Sequence, residues 1–205
     1  MYSAFLEHKK THAACDKNLN GWHQGIPWYG FWAVLVTQPE WLEVIRSAQT
    51  HMQAYLLPDY ARQAHITLSA SGLLAEQHFS AAHYQQQKQQ ILNSPPKAFS
   101  VKASHLNSFL SAPYLRIEDT QHGLLNLRTL LGAITSDDEP AIYHPHITLG
   151  FYREAFASQE IVGKFKTFKA PQLPELHISD IVYCRYRTDK LQSAFEVIET
   201  FPLSG

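Results

Sequence analysis

The chain has 205 residues, of which 45% are hydrophobic and 12% aromatic, so it can bury one large core or two small lobes around a shared one, and it is not a disordered polymer. A formal net charge of −1 without a Lys/Arg block excludes wrapping of a long nucleic-acid tract, and leaves a small nucleotide or a single RNA end as compatible partners. Two cysteines, Cys15 and Cys184, give no disulfide framework; no run approaches the roughly 20 apolar residues of a membrane span and the N-terminus lacks a signal-peptide core, so a cytoplasmic monomer without membrane contact is the expectation.

Residues 1–27 are polar and weakly periodic and read as an N-terminal extension, followed by a single domain over 28–205. His8, His12 and Cys15 have helical metal-ligand spacing but no further ligands at set distances, so no metal and no cofactor are expected. Trp28–Val36 is aromatic and β-branched and predicts a strand; Pro39 then opens a helix with Trp41, Val44, Ile45, Ala48 and Met52 at helical spacing. Ala64–Ala70 predicts a second strand, broken at Gly72, with His65, Thr67 and Ser69 on one face. Residues 75–93 are Gln-rich and helix-favouring, with 85–90 a solvated face, and Pro95-Pro96 stop them. Phe99–Asn107 and Ala112–Glu118 read as strands around a Ser-rich turn. Thr120 is the expected cap of a helix carrying Leu124, Leu127, Leu131 and Ile134; Thr135–Pro140 is an acidic loop. Tyr143–Tyr152 reads as a strand, Ser158 caps a helix carrying Ile161, Val162, Phe165 and Phe168, and Ile178–Arg187 and Gln192–Phe201 form a closing hairpin.

One phrase occurs twice, once per half: His65-Ile66-Thr67-Leu68 and His146-Ile147-Thr148-Leu149. A strand puts residues i and i+2 on one face, so each copy presents an imidazole beside a hydroxyl. Histidine titrates near neutrality, so one imidazole can take a proton while the other gives one, and two threonine hydroxyls can donate to the non-bridging oxygens of a phosphate. Small residues follow both copies: Ser69 and Gly150, each four after its histidine, leave room beside the strand, and Ser71 and Tyr152, six after, share the parity of the motif. Tyr152 is thereby a candidate for stacking or phosphate contact. Tyr29 and Trp32 in the aromatic run can stack on a base or pack in the core, and Arg62, three residues before His65, can reach a phosphate from the rim.

The two H-x-T motifs, the phrase Tyr143-His144-Pro145-His146-Ile147-Thr148-Leu149-Gly150 and the closing hairpin resemble the 2H phosphoesterase superfamily, which includes LigT-like 2′-5′ RNA ligases and cyclic nucleotide phosphodiesterases. The resemblance implies an α+β, bilobal, pseudo-two-fold fold in which antiparallel sheets form a central cleft with helices outside. It also implies a site made of His65, Thr67, His146 and Thr148, and metal-independent chemistry on 2′,3′-cyclic or 2′-5′ phosphoesters. Many LigT-like members carry an arginine five residues after the second histidine; here Phe151 stands there, with Arg153, of opposite parity, the nearest arginine. The expected activity is that of a phosphoric diester hydrolase acting on a 2′,3′-cyclic phosphate, a related cyclic nucleotide or a 2′-5′ phosphodiester by two-histidine acid–base catalysis. The competing readings are a nucleotide-binding module with little catalysis and a 2′-5′ RNA ligase or end-processing enzyme.

Overall fold

A computed structural model describes residues 2–14, 21–132, 143–169 and 171–205. Its elements, in order, are helix α1 (Ser3–Leu6), strand β1 (Trp28–Leu35), helix α2 (Pro39–Met52), strand β2 (His65–Leu73), helix α3 (Ala81–Asn93), strands β3 (Phe99–Ser108) and β4 (Pro113–Glu118), helix α4 (Gly123–Leu131), strand β5 (His146–Thr148), helix α5 (Ser158–Thr167) and strands β6 (Leu176–Ile178), β7 (Asp180–Arg187) and β8 (Glu196–Pro202). They form two antiparallel four-stranded sheets, ordered β2-β1-β7-β8 and β5-β4-β3-β6. Each sheet ends on one His-x-Thr strand, and Cα atoms of β2 and β5 come within 8 Å of each other where the two edges meet.

One apolar core joins the two sheets. Trp32, Val34, Ile66 and Leu68 enter it from the first, Leu106, Leu115, Ile117 and Ile147 from the second, and α2, α4 and α5 cover it with Trp41, Ile45, Leu124, Leu127, Ile161 and Phe165. The helical spacing of Trp41, Val44, Ile45, Ala48 and Met52 gives α2 one continuous buried stripe. A smaller cluster of Phe31, Ala33, Val182, Cys184 and Phe195 lies on the opposite face of the first sheet.

Several local expectations are corrected. β2 does not break at Gly72, which adopts φ +96° and carries the strand on to Leu73. The second His strand is three residues long rather than ten. Its ladder to β4 spans only His146–Thr148, between Pro145, which has no N–H to give a ladder, and Gly150. The cap of α4 is Asp119, not Thr120: its carboxylate accepts from the N–H groups of Gly123 at 2.8 Å and Leu125 at 3.2 Å. Ser158 opens α5 without a side-chain cap, and its N–H donates instead to the Lys9 carbonyl of the N-terminal segment at 3.1 Å. Gln87, within the Gln-rich run expected to be solvated, is buried. Its Oε1 accepts from Trp32 Nε1 at 2.7 Å and its Nε2 donates to the Leu131 carbonyl at 2.6 Å, tying α3 to α4. Cys15, Ile134 and the acidic loop Thr135–Pro140 lie outside the described residues. Among the described residues no helix is long and apolar enough to cross a membrane.

Candidate active site

The two motif histidines are held in the same way. His65 Nδ1 lies 2.7 Å from the Gln63 carbonyl and His146 Nδ1 lies 2.7 Å from the His144 carbonyl, so each ring is fixed by the backbone two residues before it. A carbonyl only accepts, so Nδ1 carries the proton and Nε2 holds the free lone pair of the neutral ring. Each ring also packs on two aromatics. His65 meets Phe31 and Phe195 with centroids at 5.5 and 5.0 Å, and His146 meets Phe109 and Tyr114 at 4.8 and 5.2 Å. Phe31 and Tyr114 come from the neighbouring strands β1 and β4, so the pseudo-two-fold relation of the sheets extends to these walls. Thr67 and Thr148 follow on the same strands, and among the described residues neither hydroxyl has a hydrogen-bond partner.

The two halves differ in polarity. Across the ladder, His65 faces Leu35 and Thr67 faces Ala33, beside the apolar cluster of Phe31, Val182, Cys184 and Phe195. His146 faces Arg116 and Thr148 faces Tyr114. This difference appears in the proton affinities. His65, 8% exposed, is pushed down to about 4, chiefly because burial disfavours its charged form, with repulsion from Arg62 and from His146 adding to it and the Gln63 carbonyl opposing it. His146 is also lowered, first by burial and then by the nearby His144 imidazole, against the pull of the His144 carbonyl. Both rings are thus held on the neutral side of their ordinary range, and the influence of His146 on His65 places the two within electrostatic reach.

A partly buried tyrosine fastens the two motif strands together. Tyr143, three residues before His146, donates its hydroxyl to the Thr67 carbonyl at 2.8 Å. The Arg128 guanidinium lies 5.1 Å from its ring and donates to the Leu68 carbonyl at 3.0 Å. Burial raises the Tyr143 pKa above its ordinary value, so the group stays a protonated donor at any working pH. Tyr143→Phe is expected to cost about 1 kcal/mol of stability and to raise KM and lower kcat together, because the spacing of the two motifs loosens; thermal unfolding beside steady-state kinetics checks this.

The remaining sequence candidates are distributed differently. Arg62 lies over the Tyr186 ring at 4.3 Å and donates to the Leu191 carbonyl at 2.9 Å, on the first-lobe side of the cleft. Tyr29 stacks on the same Tyr186 at 5.1 Å. Trp32 is fully buried in the core and bonded to Gln87, and cannot stack on a ligand. Tyr152 is likewise fully buried, its hydroxyl 2.7 Å from Ser108 Oγ, because β5 ends at Thr148 and the parity that pointed it into the cleft is lost. Ser69 is turned from Thr67 by a bulge at Leu68: it pairs with Trp32, on the core side, while Thr67 pairs with Ala33. Gly150 leaves no room for a ligand, since a Cβ there would meet Leu56 Cδ1 at 3.1 Å. Arg153 pairs with Glu154 at 3.3 Å and opens on a separate groove with Gln49 and Gln53. Sequence reading missed Arg116, although the alternation of Tyr114, Arg116 and Glu118 with Leu115 and Ile117 marks it as facing away from the core. The ladder register was needed to place it beside His146.

A model of the 2′-5′ RNA ligase superfamily matches residues 37–190, three quarters of the chain. The chain belongs to the 2′-5′ RNA ligase superfamily. Solved structures share its fold at low sequence identity. LigT of E. coli complexed with 3′-AMP superposes with a TM-score of 0.57 at 16% identity, covering 87% of this chain and 99% of LigT. TT0787 of Thermus thermophilus gives 0.58 at 20% identity, over 86% and 98%. ATU0111 of Agrobacterium tumefaciens, a conserved protein of unknown function, gives 0.52 at 11%, over 84% and 87%. No curated protein sequence matches. The superfamily match begins at residue 37, so the N-terminal segment lies outside it.

Proposed function

We propose that the protein is a metal-independent phosphoesterase that hydrolyses a 2′,3′-cyclic phosphate or a closely related nucleotide phosphodiester. The observation that carries this reading is the matched pair of imidazoles, each with Nδ1 locked on a backbone carbonyl and each followed, at the meeting edges of the two sheets, by a threonine hydroxyl with no partner among the described residues. A site that only bound a nucleotide would not need two rings oriented for proton transfer. LigT of E. coli, of the same fold, has been crystallised with 3′-AMP.

His65 acts as the base. It is the more deeply buried ring, kept neutral by its apolar surroundings, and its Nε2 takes a proton from the attacking water. The water oxygen bonds to phosphorus, one ribose oxygen leaves, and His146 Nε2 supplies the proton that this oxygen needs. His146 is the ring on the polar half of the cleft, and a bound phosphate anion favours its protonated form. Thr67 and Thr148 donate to the non-bridging oxygens as charge builds on them. The test is a panel of 2′,3′-cyclic, 3′,5′-cyclic and 2′-5′-linked nucleotides assayed with and without EDTA. Turnover of the 2′,3′-cyclic compounds, unchanged by the chelator, is expected; turnover only with added metal, or only ligation of RNA ends, sinks the reading.

A further inference from the structure

The N-terminal segment is built into the second lobe rather than trailing from it. Phe5 of α1 is buried in the main core, and the Tyr2 ring lies edge-on to His105 at 5.9 Å and against Phe165 at 6.0 Å. Backbone hydrogen bonds continue the attachment: besides Ser158 N–H to the Lys9 carbonyl, Thr11 N–H donates to the Phe156 carbonyl at 2.9 Å, His12 N–H to that of Leu110 at 2.7 Å and Ala14 N–H to that of Tyr152 at 2.9 Å. Between this segment and the cleft side of β3 and β4 lies a cavity of about 340 Å³. Ser3 and His8 line it from the segment, Arg116 and Tyr114 from β4, Phe109 from the β3–β4 turn and His144 from the loop before the second motif. No carboxylate lines it, and among the described residues Arg116 has no ion-pair partner.

We propose that this cavity binds a second phosphate of the nucleotide or oligonucleotide whose reacting phosphate lies between the two motifs. The location of the reacting phosphate rests on the phosphoesterase reading above; the cavity does not. Arg116 offers a planar set of N–H donors suited to a phosphate, and His8, His144 and the Ser3 hydroxyl add donors from two other sides. Arg116 sits opposite His146 across the ladder. The cavity therefore begins one strand from β5 and reaches the next, roughly 5–10 Å away, a step across one nucleoside. Phe109 and Tyr114, which also hold the His146 ring, form the apolar wall along which the sugar would lie. On the first lobe the residue facing His65 is Leu35, and the nearby Arg62 is laid over the Tyr186 ring and donates to the Leu191 carbonyl. The second phosphate is thus taken on the His146 side, and the segment outside the superfamily match supplies two of its donors.

The experiment compares adenosine 2′,3′-cyclic phosphate with the same compound carrying a 5′-phosphate, by hydrolysis and by calorimetric binding. In the wild type the 5′-phosphorylated compound is expected to have a KM about tenfold lower or better, with kcat little changed. His8 is exposed, so His8→Ala should fold normally. It should keep the wild-type rate on the compound without the 5′-phosphate and lose most of the preference; Arg116→Gln should lose the preference as well. Equal KM values in the wild type, or a preference that survives both substitutions, overturn the proposal while leaving the phosphoesterase reading intact. If neither compound is turned over, that reading fails. A calorimetric preference for the 5′-phosphorylated compound that disappears in His8→Ala then still establishes the cavity, and the lack of one overturns it.

Discussion

Replacing either His65 or His146 by glutamine is expected to lower turnover of a 2′,3′-cyclic nucleotide by about 10²–10⁴-fold and to leave a folded protein. Each ring rests on neighbours that remain after the change: Phe31 and Phe195 around one, Phe109 and Tyr114 around the other. The Gln63 and His144 carbonyls that fix the rings remain as acceptors for an amide. The pH profile separates the two roles. With His65 lowered to about 4 and His146 also below its ordinary value, kcat/KM follows a bell whose acid limb lies near pH 4 and whose maximum falls below 6.5. His65→Gln removes the acid limb from whatever activity remains, and His146→Gln removes the alkaline limb. Full activity in either variant, or an acid limb that survives the loss of His65, defeats the assignment. Circular dichroism and thermal unfolding of both variants show whether the loss is chemical.

The second large effect is on acid stability. Unfolded, His65 binds a proton near pH 6.5; folded, it does so only at about 4. Between these values the unfolded chain holds more protons, so stability rises with pH across the window and is lost as the pH falls from about 6.5 toward 4. The protonated ring carries a folded-state penalty on the order of 3 kcal/mol, since its site is almost wholly desolvated. His146 adds a loss of the same sign. Glu199 titrates in a separate window, because Lys88 and Tyr84 hold its carboxyl below the usual carboxylate range. Denaturant midpoints at pH 7 and pH 4.5 should therefore converge for His65→Gln relative to wild type, with the variant gaining several degrees in Tm over wild type at the lower pH. Parallel acid losses in the two proteins would show that His65 is not held neutral.

Some of this architecture is written in local sequence and some is not. α2 is legible because Trp41, Val44, Ile45, Ala48 and Met52 satisfy one periodicity and Pro39 marks its start. The His-x-Thr spacing likewise states that an imidazole and a hydroxyl share a strand face. Parity fails where the strand departs from regularity. A bulge at Leu68 reverses Ser69, and the end of β5 at Thr148 removes Tyr152 from the cleft. Both depend on what the neighbouring strand does. What Arg116, Tyr143 and the Gln63 and His144 carbonyls do was not legible for the same reason, since each acts across a contact between segments distant in the chain or through the backbone. Smallness misled at Gly150, where the space is taken by Leu56 rather than left for a ligand.

The strand order has a consequence for how the molecule comes into being. β1 is paired on one side by β2 and on the other by β7, so the first sheet closes only when Asp180–Pro202 is available, while every strand of the second sheet lies between β2 and β7 in the chain. On the ribosome, the strand bearing His65 therefore emerges long before the sheet that supports it can be completed. Long-range antiparallel pairing of this kind puts folding in the slower range of small domains. The second sheet is drawn from one continuous stretch, 99–178, set between the two strand pairs of the first, so the duplication suggested by the repeated motif is nested in the structure, and the lobe bearing His65 cannot be completed until the lobe bearing His146 has been made.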